Sequence, residues 1–193
     1  MNAKEHAVMT QWFSAISVIM FFVAIVGFFE TDITLIVLGV GWISFHIFIE
    51  IRIAYLNKKA HNDYIKRLQA SDMASVDHMT GRQFELYLEV LFQALGYATE
   101  QLPTSNDFGA DLILVIGEKR IAVQAKRYKG NVGNRAVQMI LGAKKYYDCN
   151  EAWIVTNSFY TKAAIQMASK TDVRLYDRNG LLEFMTMNQA LPK

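Results

Sequence analysis

An acid, an amide and a lysine stand at the ends of two neighbouring apolar runs in the middle of the chain. Asp111 opens the run Asp-Leu-Ile-Leu-Val-Ile, and Gln124 and Lys126 close the run Arg-Ile-Ala-Val-Gln-Ala-Lys. The Gly117-Glu118 step between the runs predicts a short hairpin that brings the far end of the second run level with Asp111. Because side chains alternate across a strand, Gln124 and Lys126 share one face. A carboxylate for a divalent cation beside a lysine for a water or phosphate oxygen is a minimal set for cutting a phosphodiester.

The elements around these two runs predict a mixed sheet wrapped by helices. Residues 80–83 have the spacing of a capping box, and apolar side chains recur at helical intervals from Phe84 to Leu95. The elements give the order αβββαβαβα, and the helical crossovers between the later strands predict a mixed α/β sheet. Besides the two central runs, strands are predicted at Tyr97 to Gln101, Trp153 to Thr156 and Val173 to Tyr176, and helices at Asn134 to Tyr147, Thr161 to Ser169 and Gly180 to Met187.

Two long apolar runs precede this region. Residues 12–29 carry no charged side chain, and residues 33–49 carry only His46 as an ionisable group. Each run is long enough to cross about 30 Å of hydrocarbon at about 1.5 Å per residue, and only Glu30-Thr31-Asp32 separates the two. We therefore predict a transmembrane helical hairpin, with two short buried core helices as the alternative. Lysines and arginines in the flanks place both ends on the cytoplasmic side of a bacterial-type inner membrane.

The chain thus divides into three predicted parts. Residues 1–50 form the two-span hairpin, residues 51–77 a basic helical stalk and linker, and residues 78–193 the soluble domain. Bases outnumber acids five to two between Glu50 and Ala70, which suits contact with anionic membrane lipid, although a solvated juxtamembrane helix has the same composition. The sole cysteine, Cys149, excludes an internal disulfide and fits a reducing cytosol.

Four features of the soluble domain together resemble the Mrr-type branch of the PD-(D/E)XK nuclease superfamily. They are the helix with Phe84-Glu85, the run Asp-Phe-Gly-Ala-Asp at 107–111, the tripeptide Gln124-Ala125-Lys126 and the turn at 156–158. The resemblance covers roughly residues 78 to 184. It implies a restriction-endonuclease-like αβββαβ core in which Gln replaces the Asp or Glu of other branches. It also implies Mg²⁺-dependent or Mn²⁺-dependent cleavage of DNA, in restriction of foreign or modified DNA.

The predicted metal site combines one or two carboxylates with neutral oxygens. Asp111 is the first candidate ligand, and the Gln124 side chain and the Ala125 backbone carbonyl supply neutral oxygens. The resemblance implies that Glu85 adds a second carboxylate from the first helix. Glu89, one turn further, shares roughly the same helical face and is the competing candidate.

The remaining site residues are predicted to meet water or DNA. Lys126 orients or activates the attacking water, or stabilises charge that develops on the phosphate. In the structural alternative, Asp111 caps a turn and Lys126 is the solvated end of a strand. The residues predicted to bind DNA are Arg127, Lys129 and Ser158. The resemblance adds Gln138, because related nucleases have a glutamine near the site on the corresponding helix.

Three functions fit the sequence. The first is a membrane-anchored endodeoxyribonuclease, and the second is a membrane-tethered DNA-binding or sensor module that keeps the fold without cutting, which the glutamine at 124 favours. In the third, the hairpin acts in the bilayer and the soluble domain regulates it. A homodimer is expected for the nuclease, because two cuts on opposite strands require two active sites or two events.

Overall fold

The computed structural model describes residues 15–23, 25–26, 33–100, 102 and 108–190. These residues belong to two compact units, Met1–Tyr64 and Ile65–Lys193. Several predicted features lie outside the described residues: part of the first apolar run, the reversal at residues 30–32, and Asp107.

The first unit is helical wherever it is described. Residues 15–23 and 25–26 are helical, and helix α1 spans Ile33–Gln69, so the predicted stalk continues the second apolar run as one helix. Large apolar side chains of α1, such as Phe45 and Phe48, are more than half exposed. By length and composition, residues 36–69 are the one stretch among the described residues that is suited to cross a membrane, and its most apolar 18-residue window has a mean hydropathy of 1.7.

The second unit contains a five-stranded mixed sheet with helices on both faces. The strands follow the sequence order across the sheet, β1 to β3 being antiparallel and β3 to β5 parallel. This architecture confirms the predicted αβββαβαβα order from α3 onwards, and it fits a restriction-endonuclease-like core. The strands are β1 Ala98–Glu100, β2 Leu112–Ile116, β3 Lys119–Lys126, β4 Glu151–Thr156 and β5 Val173–Tyr176; the helices are α2 Met73–His78, α3 Gly81–Ala94, α4 Asn134–Tyr146, α5 Lys162–Thr171 and α6 Arg178–Ala190.

Two hydrophobic cores lie on opposite faces of the sheet. Helices α3 and α6 cover the face that carries Val123 and Ala125, whereas α4 and α5 cover the face that carries Ala122. Because successive side chains of a strand alternate between faces, Gln124 points to the side of α4. The predicted capping box of α3 is present, with Thr80 and Gln83 bonded to each other's backbone N–H groups.

The β2–β3 hairpin sets the register at the candidate site. Its loop is the predicted Gly117-Glu118 step, and Gly117 has a positive φ of 58°. The last pair is Leu112 with Val123. Asp111 precedes Leu112 and Gln124 follows Val123, so both lie at the open end of the hairpin.

The segment predicted as a linker contains a short helix. Asp72 caps α2, because its carboxylate accepts a hydrogen bond from the Ser75 N–H at 2.8 Å. Met73 and Val76 of α2 are buried in the core that α3 covers. A helix of six residues is marginal by itself, so the cap and the burial of these two side chains stabilise it.

Gly109 allows the chain to pass close to α4 just before β2. Its φ is +96°, and a Cβ atom built there would lie 2.9 Å from the Met139 carbonyl oxygen. Any larger residue would meet both an unfavourable backbone conformation and the backbone of α4.

Replacing Gly109 by alanine is expected to destabilise the second unit more than the matched change Gly96→Ala. Gly96 has a similar φ of +92° but no atom within 4 Å of its built Cβ, so that variant measures backbone strain alone. We expect Gly109→Ala to cost about 1–3 kcal/mol beyond the control, because it adds overpacking. Thermal unfolding followed by tryptophan fluorescence measures both losses, and equal losses would contradict the close approach.

Candidate active site

Side chains replace the backbone hydrogen bonds where the β2–β3 ladder ends. The Asp111 N–H donates to the Val123 carbonyl at 2.8 Å, which is the last backbone bond described at this end of the hairpin. Beyond it, the Asp111 Oδ2 accepts from the Ala125 N–H at 2.7 Å. In return, the Gln124 Nε2 donates to the Gly109 carbonyl at 2.7 Å. The ladder therefore holds the carboxylate and the amide in place at the point where the sheet opens.

The Asp111 contact ties its carboxylate to the backbone of β3. Asp111 caps a strand N–H, as a residue with a purely structural role would. The N–H and C=O of one residue point to the same neighbouring strand in an antiparallel pair. The Ala125 carbonyl is therefore directed to the same edge as the Asp111 carboxylate, which brings two oxygen donors to one end of the sheet.

The Gln124 side chain is held by one hydrogen bond from its amide nitrogen. The side chain is buried, with 1% exposure, and its Oε1 has no hydrogen-bond partner among the described residues. Leaving a buried acceptor unsatisfied costs about 1–3 kcal/mol, and a cation or a water would remove that cost. Because Nε2 is committed to Gly109, the amide orientation is fixed by its hydrogen bond.

The donor set fits a divalent cation that binds through few charges. No three His, Cys, Asp or Glu side chains in the described part of the chain are grouped to hold a metal ion. A cation at this edge would instead take one carboxylate oxygen from Asp111 and neutral oxygens from Gln124 and Ala125. Mg²⁺ accepts such a site when substrate phosphate and water complete its coordination.

Lys126 closes β3 next to these groups and is held through its backbone. Its carbonyl accepts a hydrogen bond from the Thr156 Oγ1 at 2.5 Å, and that hydroxyl oxygen accepts from the Ser158 N–H at 3.1 Å. Lys126 pairs with Thr156 in the parallel register. The side chain is half-buried and shares the face of Gln124 by strand alternation.

The two candidate glutamates lie on α3, which packs on the other face of the sheet. Glu85 forms an ion pair with Arg82 at 2.9 Å. Glu89 accepts hydrogen bonds from Thr99 at 3.2 Å and Gln93 at 3.5 Å, and Thr99 belongs to the edge strand β1. The contacts in the described chain therefore join Asp111, Gln124 and Ala125, but they do not join either glutamate to this group.

The residues predicted to bind DNA occupy separate places around the end of β3. The Arg127 Nε donates to the Met79 carbonyl, just before α3. Lys129 and Ser158 line one cleft beside the ends of β3 and β4. Gln138 is exposed on α4.

The cleft has a charged floor that the sequence did not reveal. Arg178 binds Asp77 through both carboxylate oxygens, at 2.8 and 2.7 Å, and Asn157 donates to the same carboxylate at 2.8 Å. The Tyr128 N–H donates to the Asn157 Oδ1 at 2.8 Å. The hydrogen bond and charge of Arg178, with the bond from Asn157, lower the pKa of Asp77 to about 2, so Asp77 is ionised at neutral pH. The pattern at 156–158 pointed to Asn157, but no pattern links two residues 101 positions apart.

Comparisons with known proteins identify the family of this domain. No curated protein matched the chain. The crystal structure of a protein of unknown function, AF1548, matches with a TM-score of 0.46 and 16% identity, over 57% of this chain and 66% of that chain, slightly less than two thirds of its length. Residues 76–185 match the Mrr_cat family model, described as restriction endonuclease. This match spans more than half of the 193 residues, and the chain therefore belongs to the Mrr_cat restriction endonuclease family.

Proposed function

We propose that this chain is a membrane-anchored, metal-dependent endodeoxyribonuclease that acts on foreign or modified DNA at the cytoplasmic face of a bacterial-type inner membrane. The observation that carries the proposal is the reciprocal contact at the end of the β2–β3 hairpin, where Asp111 and Gln124 are fixed beside the Ala125 backbone. This arrangement occurs within a domain of a restriction endonuclease family. A second copy of the chain would supply the second cut on duplex DNA.

Mg²⁺, or Mn²⁺ in its place, would be held by Asp111, Gln124 Oε1 and the Ala125 carbonyl. When bound, such a cation polarises the phosphodiester and makes a water molecule more acidic. Glu85 is the better candidate for a second carboxylate, because Glu89 is tied to β1 through Thr99. The start of α3 is held near the end of β3 by the Arg127 contact to Met79.

Lys126 acts on the water or on the phosphate in this proposal. It follows Ala125 on the strand and shares the face of Gln124, so its ammonium group is placed to meet an anion bound at this edge. A positioned cation that meets charge developing on the phosphate stabilises the transition state more than the ground state.

Removing either charged residue is expected to abolish cleavage while the protein remains folded. We expect Asp111→Asn and Lys126→Ala to cut plasmid DNA at least about 100-fold more slowly than the wild type with Mg²⁺ or Mn²⁺. Lys170→Ala, at an exposed lysine of α5, is the matched control and should cut normally. The assay uses purified protein in detergent, with thermal unfolding as the check on folding. A wild type that never cuts, or variants that cut as fast as it does, would contradict the assignment.

A DNA-binding or sensor module without cleavage is the second candidate, and one observation favours it. Position 124 holds an amide, whose Nε2 donates to the Gly109 carbonyl, instead of a second acid. Asp111 is therefore the only carboxylate among the three described residues Asp111, Gln124 and Ala125. Salt-sensitive DNA binding with no cleavage under any divalent cation would select this function.

The substitution Gln124→Glu tests whether a cation binds beside Gln124. A carboxylate here would face the Gly109 carbonyl in place of the Nε2 donor, so we expect a lower melting temperature in a chelator. Mg²⁺ should restore stability by neutralising the new charge, which gives the variant a larger Mg²⁺-dependent shift than the wild type. Gln166→Glu on the surface of α5 is the control and should show no added shift. A variant that Mg²⁺ does not stabilise beyond this control would contradict the cation site.

The anchor and the nuclease are expected to separate between residues 64 and 65. The core under α3 includes Leu68 and Met73, so a cut further along would remove packed side chains. We expect a chain that begins at Ile65 to move from the membrane to the soluble fraction and to keep cutting plasmid. Cell fractionation and the plasmid assay measure the two outcomes. Retention in the membrane would contradict the anchor, and loss of cutting by folded protein would favour an activity of the hairpin in the bilayer.

A further inference from the structure

A polar cleft of about 410 Å³ opens beside the carboxyl end of β3. The loops after β3 and β4 form its walls, and two backbone hydrogen bonds join them. The Val132 N–H donates to the Phe159 carbonyl at 2.8 Å, and the Thr161 N–H donates to the Val132 carbonyl at 3.0 Å. The cleft is thus built into the fold.

The cleft lies one strand away from the candidate catalytic edge. Asn157, in its floor, directly follows Thr156, which pairs with Lys126. Tyr128 and Lys129, which line the cleft, follow Lys126 by two and three residues, so the cleft lies beside the end of β3. The carboxyl ends of parallel strands are also the usual place for ligands in α/β sheets.

The floor and rim of the cleft are suited to an anion. Arg178 gives three of its five N–H groups to acceptors in the described chain, two to Asp77 and one to the Asn157 carbonyl. Two N–H groups of this guanidinium are therefore left for a ligand. Lys129 is exposed at the rim and has no ion pair among the described residues. With Asp77 balanced by Arg178, the net charge of the lining is positive.

Two exposed aromatic side chains accompany these cations. Tyr128 is 52% exposed and Phe159 is 45% exposed, and both line the cleft. Aromatic faces beside a positive groove are the common means of holding single-stranded nucleic acid, because every base has a face to stack. The volume falls at the lower end of the range of about 300–1,000 Å³ for small-ligand sites, which suits one nucleotide.

We propose that this cleft holds one unstacked nucleotide of the DNA strand, next to the phosphodiester that is cut. Its phosphate lies on Lys129 and Arg178, and its base lies against Tyr128 and Phe159. The inference rests on the proposed function only in taking DNA as the ligand, since binding in the cleft needs no cleavage.

Binding of short DNA to the full chain in detergent, with a chelator present to prevent cutting, tests the cleft. The probes are a fluorescein-labelled single strand, a matched duplex and the same duplex with one mismatched pair, followed by anisotropy. We expect the wild type to bind the single strand and the mismatched duplex more tightly than the matched one, because an unpaired nucleotide enters without the cost of unpairing. Equal affinity for all three probes would overturn the unstacked nucleotide.

Substitutions at the rim of the cleft test which side chains bind the single-stranded DNA. Tyr128→Ala and Phe159→Ala should each weaken binding of the single strand about 5- to 150-fold, as expected for the loss of one stacked base. Lys129→Ala should lower the salt slope of binding by about one. Tyr55→Ala on α1 and Lys170→Ala on α5 are the controls and should leave binding unchanged. Rim variants that bind like the wild type would overturn the proposal.

Plasmid cleavage with Mg²⁺ separates this proposal from the proposed function. A wild type that cuts, together with rim variants that bind DNA normally, refutes the cleft and supports the nuclease. A wild type that never cuts, together with rim variants that lose binding, refutes the nuclease and supports the cleft. Competition with inorganic phosphate and with thymidine monophosphate shows whether the cleft is a site for DNA or for a free phosphate compound. If the single strand displaces either bound probe, the cleft is a DNA subsite. If a probe stays bound when the single strand is added, the proposal is contradicted.

Discussion

The end of the β2–β3 ladder imposes the constraint on which the candidate site depends. Strand β3 extends past the last pair of the β2–β3 ladder, Leu112 with Val123, and the Ala125 N–H and the Gly109 carbonyl lie beyond that pair. Asp111 accepts from the first of these groups, and Gln124 donates to the second. Buried backbone groups need partners, so the fold requires an acceptor at 111 and a donor at 124. The residues proposed for chemistry are thus the same residues that close the sheet.

This constraint gives a physical reason for glutamine at position 124. A glutamate in its ionised form could not donate to Gly109, and Gly109 cannot move away because it packs on the Met139 backbone. An amide satisfies the carbonyl with its nitrogen and leaves its oxygen for a ligand. The accompanying loss of one negative charge weakens the attraction for a free cation, so substrate phosphate becomes a larger part of the proposed metal site. Glutamine at position 124 is therefore compatible with metal-dependent cleavage.

Local patterns in the sequence were sufficient for the order of elements and for the β2–β3 hairpin. A two-residue loop and side-chain alternation fix the register of a hairpin, and helical spacing fixes the inner face of α3. The hydrogen bond from Gln124 to Gly109 was not predictable, because it depends on how a loop packs on α4. The Asp77–Arg178 pair was not predictable either, since it joins residues at the two ends of the domain. Helix α2 was missed because its stability comes from burial of Met73 and Val76 rather than from its length.

The pair of contacts made by residues 77 and 79 shows why the segment before α3 belongs to the functional domain. Asp77 receives hydrogen bonds from Asn157, which holds the Tyr128 N–H, and the Met79 carbonyl receives one from Arg127. These hydrogen bonds thus reach Arg127 and Tyr128, the two residues that directly follow Lys126. Side chains of α2 fill the same core as Val123 and Ala125, so packing and hydrogen bonds reach the end of β3 from one short segment. The position of Lys126 therefore depends on residues that precede the capping box of α3, one of which, Asp77, also precedes the predicted boundary at 78.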